Sequence, residues 1–168
     1  HKKIGILDAD VYGPNQNILF NIDTKNKIVD KQIIPLTKKG IKIISMGNIM
    51  NYEDAALWRG PMLSGAIKKL VHDTQWGELD YLLIDMPPGT GDVYLTIFNE
   101  LSIDEFILIT TPNILAISDL QKTITMLKKL NVNIFGYISN NIFNIEVQED
   151  NLLICLLYTS PSPRDTNE

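Results

Sequence analysis

Carboxylates gather at the ends of short apolar runs in this chain. The run Tyr81-Leu82-Leu83-Ile84 ends in Asp85, and Met86-Pro87-Pro88-Gly89-Thr90-Gly91-Asp92 follows at once. Such a run reads as a strand buried on both faces, as in a parallel sheet covered by helices. The prolines and glycines then carry the chain out of the sheet in a stiff turn that can continue neither as strand nor as helix. An acid at the C-terminal end of a buried strand lies where open α/β sheets collect their ligands. It is also how an aspartate comes to hold Mg2+ through water for phosphoryl transfer. For a strand-ending Asp taken alone, a simple turn residue is the commoner reading; the whole string from Asp85 to Asp92 weighs against it.

Two other segments repeat the pattern. Ile4-Gly5-Ile6-Leu7 ends at Asp8-Ala9-Asp10, and the strand expected over Val132 to Ile138 delivers Ser139-Asn140-Asn141. Taken singly, Asp8 and Asp10 read more readily as turn formers and Asn140 as a helix cap. On parallel strands, however, these ends share one edge, so Asp8, Asp10, Asp85 and Asn140 can meet a single ligand.

The elements that must position them follow from periodicity. Val11 to Asn15 reads as a turn, and residues 21 to 40 as a polar surface excursion with room for a small hairpin. Ile41 to Met46 is β-branched and closed by Gly47, which predicts a strand. Residues 48 to 58 are irregular, and Arg59-Gly60-Pro61 introduces a helix from Met62 to His72, with Leu63, Ile67 and Leu70 on one face. Gly65 weakens that helix. A helix over Val93 to Leu101, a buried strand over Glu105 to Thr110 and a helix over Ser118 to Leu130 come next. The last carries Ile117, Leu120, Ile124 and Leu127 as its core stripe, with Lys122, Lys128 and Lys129 on the wet side. Strands alternating with helices predict a three-layer, doubly wound, mostly parallel α/β sheet.

At 168 residues the chain is one domain's worth. Its 45% apolar and 21% charged content is that of a globular protein. The net charge of −5, with no basic cluster beyond pairs such as Lys38-Lys39, leaves nucleic-acid binding unsupported. No apolar run approaches the roughly 18 residues of a membrane span, so no membrane partner is expected. A lone cysteine, Cys155, cannot form an internal disulfide and fits a cytoplasmic location.

The chain opens at His1 almost directly into a strand, which suggests a fragment of a longer protein. Residues 1–150 are expected to form a partial domain and 151–168 a tail. Within the tail, Leu152 to Leu157 is apolar and Ser160-Pro161-Ser162-Pro163 has the composition of an extended linker. The stretch also resembles the translated sequencing-adapter ends of some assembled fragments; on that reading, which we favour, it is non-native and carries no function.

Four ordered motifs carry a family resemblance: Leu7-Asp8-Ala9-Asp10-Val11-Tyr12-Gly13-Pro14, Trp58-Arg59-Gly60-Pro61-Met62, Trp76-Gly77-Glu78-Leu79-Asp80-Tyr81, and Ile84 to Asp92. Together, over residues 3 to 143, they resemble the Mrp (ApbC-type) ATPases, iron–sulfur cluster carriers within the MinD/ParA group of P-loop proteins. The resemblance implies ATP and Mg2+ as cofactors, a homodimer when complete, and apo iron–sulfur proteins as clients. It makes Asp10 the switch I acid near the γ-phosphate and attacking water, with Asp8 holding that strand end. Asp85 becomes the Walker B acid, bound to Mg2+ through water. Gly89, Thr90, Gly91 and Asp92 become the switch II turn, and Asn140 the amide that reads the adenine edge. Arg59 stays open between a structural arginine of a Gly-Pro turn and one facing a dimer partner or a phosphate. Trp58 and Trp76 read as packing residues.

The sequence departs from the family in two places. No G-x-x-x-x-G-K-[ST] phosphate loop occurs, so ATP binding by these 168 residues alone is expected to be poor, and the first strand of the fold is expected to be missing with that loop. No C-x-x-C follows the Asn140 strand, where Phe143 to Asp150 stands instead, so no iron–sulfur ligands are expected in this chain. A ParA/MinD-type positioning ATPase and a non-enzymatic scaffold or interaction module are the rival readings.

Overall fold

A computed structural model describes residues 1–49 and 60–140. Strand β1 (Ile4–Asp8) leads through a one-turn helix α1 (Gln16–Leu19) into the hairpin of β2 (Lys27–Val29) and β3 (Gln32–Ile34), then β4 (Leu36–Lys38) and β5 (Ile41–Ser45). Helix α2 (Pro61–His72), strand β6 (Tyr81–Asp85), helix α3 (Asp92–Glu100), strand β7 (Phe106–Thr110), helix α4 (Ile114–Lys129) and strand β8 (Ile134–Ser139) complete it. The main sheet runs β4-β5-β1-β6, with β1 central and parallel to both β5 and β6, and β4 antiparallel at the edge. The architecture is α/β with mostly parallel strands, as expected.

The core lies between this sheet and helices α2 and α3. Leu7 and Ile44 from the strands meet Leu63, Ile67 and Leu70 of α2 and Val93 and Ile97 of α3. Those α2 residues are the stripe the sequence placed at helical spacing. Pro61 at the first turn presets φ for α2, and Gly60 before it has φ +40°, a conformation other residues rarely adopt. The two helices are cross-linked by Thr96 donating to Ser64 (2.8 Å) and by Glu100 pairing with Lys68 (2.7 Å) and His72 (2.8 Å). In β1, Gly5 has Trp76 and Leu79 lying over it; a Cβ there would sit 2.7 Å from a Leu79 methyl. Trp76 is thus a packing residue, as its sequence context suggested.

Several expectations need correction. Strand β6 is buried on one face only: Leu82 and Ile84 pack on the core, while Tyr81 and Leu83 are 55% and 54% exposed. On its outer face the Lys2 ammonium lies 5.8 Å from the centre of the Tyr81 ring, and its outer edge has no strand partner among the described residues, where β6 pairs with β1 alone. Strand β7, expected to be buried, has Ile107 and Ile109 at 50% and 67% exposure for the same reason. Among the described residues it pairs only with β8, in a separate two-stranded parallel sheet. That sheet carries α4 through Leu108, Leu120 and Leu127, and reaches α3 through Tyr94, Phe98 and Phe106, whose ring centroids lie 6.2–6.3 Å apart. Helix α4 starts four residues earlier than the periodicity suggested, because the Asn113 side chain accepts from the Leu115 N–H and caps it. The excursion does hold a hairpin, pinned by Ile33, whose N–H donates to Asp73 and whose carbonyl accepts from Gln75.

Trp58, Arg59, Asn141, Cys155 and the whole tail, including the domain boundary expected near residue 150, lie outside the described residues.

Candidate functional site at the paired strand ends

Asp8 and Asp85 end neighbouring strands in register, and the Ala9 N–H donates to the Asp85 carbonyl at 2.9 Å. Their environments differ sharply. Asp8 is fully buried and satisfied: it accepts from Ser45 Oγ (3.0 Å), the Asp10 N–H (3.2 Å) and the Gln16 N–H (3.3 Å). Burial pushes its carboxyl above the usual carboxylate range, an effect that these three donors oppose and the nearby Asp85 charge reinforces. Ser45 is itself fully buried and stands beside Asp8 in register on β5. Asp8 therefore knits together three segments, β1, β5 and the start of α1.

Asp85, by contrast, is exposed, and its Oδ2 accepts a short 2.6 Å bond from Gln16 Nε2. Gln16 thus reaches both acids, one through its backbone and the other through its side chain. Between them the chain turns at Asp10, whose Oδ1 accepts from the Tyr12 and Gly13 N–H groups, each at 3.1 Å. Asp10 is a turn former in this geometry, and it also lines a cleft.

That cleft, about 580 Å³, opens between the Asp10–Gly13 turn, Gly60 at the start of α2, and the segment from Pro87 to Val93. Asp8 and Asp85 stand beside it and do not line it. In the Pro87–Asp92 turn, Gly89 takes φ +93°, with nothing within 4 Å of where a Cβ would point. Gly91 caps α3 without any side-chain bond, and Asp92 begins the helix with a carboxylate near its positive end. Behind the turn the buried Tyr94 hydroxyl donates to the Pro87 carbonyl at 3.0 Å, fixing where the turn leaves the strand. Burial, and then the Asp85 charge, raises the Tyr94 pKa above its ordinary 10.0.

The structure thus brings Asp10 to one cleft with Gly91 and Asp92 and sets Asp8 beside Asp85, while Gly89 and Thr90 belong to the same turn without lining the cleft. Asn140 is not on that sheet. It follows β8, its N–H donates to the Thr110 carbonyl at 2.8 Å, and β8 belongs to the separate two-stranded sheet. Among the described residues, therefore, no run of hydrogen-bonded strands joins Asn140 to the edge that carries Asp8 and Asp85. Sequence reasoning also missed Ser45, Gln16 and Tyr94. Of these only Ser45, closing a strand next to an Asp-ending strand, left any signal.

Among the described residues no group of three or more His, Cys, Asp or Glu side chains could hold a metal ion directly. A single exposed carboxylate fits a hydrated cation held through water, the coordination Mg2+ favours. No helix of the described residues is long and apolar enough to cross a membrane.

Comparison with known proteins agrees with these motifs. Residues 1–151 match the ParA family model described as NUBPL iron-transfer P-loop NTPase. An iron–sulfur cluster carrier protein of Pseudomonas fragi is 43% identical over 141 residues, 82% of this chain and 49% of the relative. One from Methanocaldococcus jannaschii is 45% identical over 143 residues, 83% of this chain and 49% of the relative. The chain therefore spans about half the length of the curated relatives it matches. Among solved structures, a nucleotide-binding protein from Archaeoglobus fulgidus in complex with ADP superposes with TM-score 0.65 at 34% identity, covering 82% of this chain and 54% of that one. The MinD of Pyrococcus horikoshii, complexed with Mg-ADP, shares the fold at TM-score 0.62 and 23% identity, over 86% of this chain and 60% of its own. With its paired strand-end acids, its Pro-Pro-Gly-Thr-Gly-Asp turn and a family match over 151 residues, the chain belongs to the ParA-type iron-transfer P-loop NTPases.

Proposed function

We propose that this chain is the nucleotide-facing part of a cytoplasmic, homodimeric ATPase that carries iron–sulfur clusters to apo-proteins. The observation that carries the reading is the register of Asp8 with Asp85. It sets the Asp10 turn beside the Pro87–Asp92 turn, in a chain whose curated relatives are iron–sulfur cluster carriers. In this reading Asp85 holds a hydrated Mg2+ by accepting hydrogen bonds from its water, and Asp10 faces the γ-phosphate and the attacking water. Asp8 keeps the strand end rigid. The backbone N–H groups from Gly89 to Asp92 contact the γ-phosphate, and Asn140 reads the adenine edge once its strand joins the same site in the full-length protein. When bound, Mg2+ supplies the positive charge that neutralises the phosphates during transfer. The cluster is cargo, and its ligands belong to parts of the protein outside the described residues.

The test is Mg2+-ATP binding by calorimetry on the full-length protein, followed by transfer of a reconstituted cluster to an apo iron–sulfur protein with and without ATP. The reading expects saturable ATP binding that needs Mg2+, and transfer that responds to ATP. Binding or hydrolysis without any cluster held or passed on would refute the carrier role.

A further inference from the structure

Helix α1 is poorly anchored for an element so close to the site. None of its residues is buried, Ile18 and Leu19 are 77% and 73% exposed, and its N-cap Asn15 makes no side-chain capping bond. Among the described residues two sets of contacts tie it to the body. Pro14 and Asn17 lie against Gly47, leaving so little room that a Cβ there would stand 2.9 Å from Pro14 and 3.2 Å from Asn17. Gln16 supplies the rest, its N–H to Asp8 Oδ2 at 3.3 Å and its Nε2 to Asp85 Oδ2 at 2.6 Å. Only the last of these contacts ends on an exposed group that a ligand can engage, because Asp8 is fully buried.

We propose that Gln16 is a positioning residue that couples the Asp85 carboxylate to helix α1, so that a hydrated cation taken up at Asp85 loosens the hold on Ile18 and Leu19. The inference rests on the reading of Asp85 as the carboxylate that holds Mg2+. The short amide–carboxylate bond is charge-assisted. A hydrated dication facing the same carboxylate draws off the negative charge that strengthens that bond, and its waters compete for the same lone pairs. The two interactions oppose each other, and by linkage each weakens the other by the same factor. The bond is open to solvent, which brings its net worth down to that of an ordinary hydrogen bond, so the coupling is about three- to five-fold in apparent cation affinity. Exposed apolar side chains that shift with the cation state are a means of reporting the nucleotide cycle to a partner.

The experiment is an Mg2+ titration of the full-length protein in the presence of ADP, followed by NMR of the Ile18 and Leu19 methyl groups and the Asp85 amide. In the unmodified protein the methyl signals move with the same midpoint as the Asp85 amide. In Gln16→Leu the Asp85 amide still titrates, at about three- to five-fold lower Mg2+, while the methyl signals start at their released position and stay there. Gln16→Asn, polar but too short to reach, behaves like Gln16→Leu and guards against a folding defect of the apolar variant. Methyl signals that follow Mg2+ equally in both variants overturn the proposal, as do signals that stand still in the unmodified protein while the Asp85 amide titrates. An Asp85 amide that ignores Mg2+ altogether overturns the cation reading of Asp85, and the coupling falls with it.

Discussion

Replacing Ser45 with alanine tests whether the strand ends are held as described. The Ser45 hydroxyl donates to the buried Asp8 carboxylate at 3.0 Å and accepts from the Gly47 N–H at 3.2 Å. A hydrogen bond to a charged group contributes about 1.5–3 kcal/mol, and the local cap about 1 kcal/mol more. Asp8 keeps two backbone donors, so a loss of about 2–3 kcal/mol at neutral pH is expected. The pH dependence is the sharper part. Burial already raises the Asp8 pKa above 3.8, so the folded state is favoured most below 3.8 and loses that advantage as pH rises through the raised value. Ser45 lowers this pKa; without it the pKa climbs further and the loss on raising pH deepens. The Ser45→Ala deficit should therefore be about 1 kcal/mol smaller below pH 3.8, where Asp8 is neutral in both states, than at pH 7. Urea denaturation of the full-length protein and its variant across this range gives both numbers. A deficit under about 0.5 kcal/mol at pH 7, or one that shrinks as pH rises, would show that Ser45 does not hold the Asp8 carboxylate.

Two further outcomes are expected. Tyr94→Phe keeps the ring contacts with Phe98 and Phe106 but strands the Pro87 carbonyl, so it should cost about 1.5 kcal/mol in the same assay, and a change under about 0.5 kcal/mol would show that the bond does not hold the turn. Leu83, Ile107, Ile109 and Phe135 are exposed on strands that have no outer partner among the described residues, so the 168-residue chain by itself should associate with rising concentration and lack a cooperative monomeric melt; sedimentation velocity with calorimetry decides, and a cooperative monomer contradicts it.

The local patterns in the sequence located the main sheet and the two helices that cover it. Leu63, Ile67 and Leu70 bury at the spacing that named them, and the Asp85 strand ends at its acid. Local pattern cannot say whether a strand has neighbours on both sides. Tyr81-Leu82-Leu83-Ile84 is apolar throughout, yet the alternate residues Tyr81 and Leu83 face outward and stay more than half exposed. For the same reason the sequence cannot say which strand joins the Asn140 strand to the Asp85 strand, and among the described residues no run of hydrogen-bonded strands connects them. Site residues recruited over long separations left little trace. Ser45 meets an acid 37 positions away and Gln16 one 69 positions away, and neither sits in a motif that names its role. Residues 16 to 20 carry no helical signal because α1 is one turn long and buries no apolar side chain that could mark it as helix.

The role given to Asp85 is the centre of the account, and steady-state ATPase kinetics of Asp85→Asn in the full-length protein, paired with equilibrium nucleotide binding, test it most directly. Asp85 acts on charge that develops during phosphoryl transfer, while most ground-state affinity is expected from the phosphate loop and the base contact. In Asp85→Asn kcat should fall by roughly 10²-fold or more, about 3 kcal/mol, with nucleotide affinity little changed. A variant that keeps its kcat would contradict the assignment of Asp85, and with it the chemistry proposed for the paired strand ends.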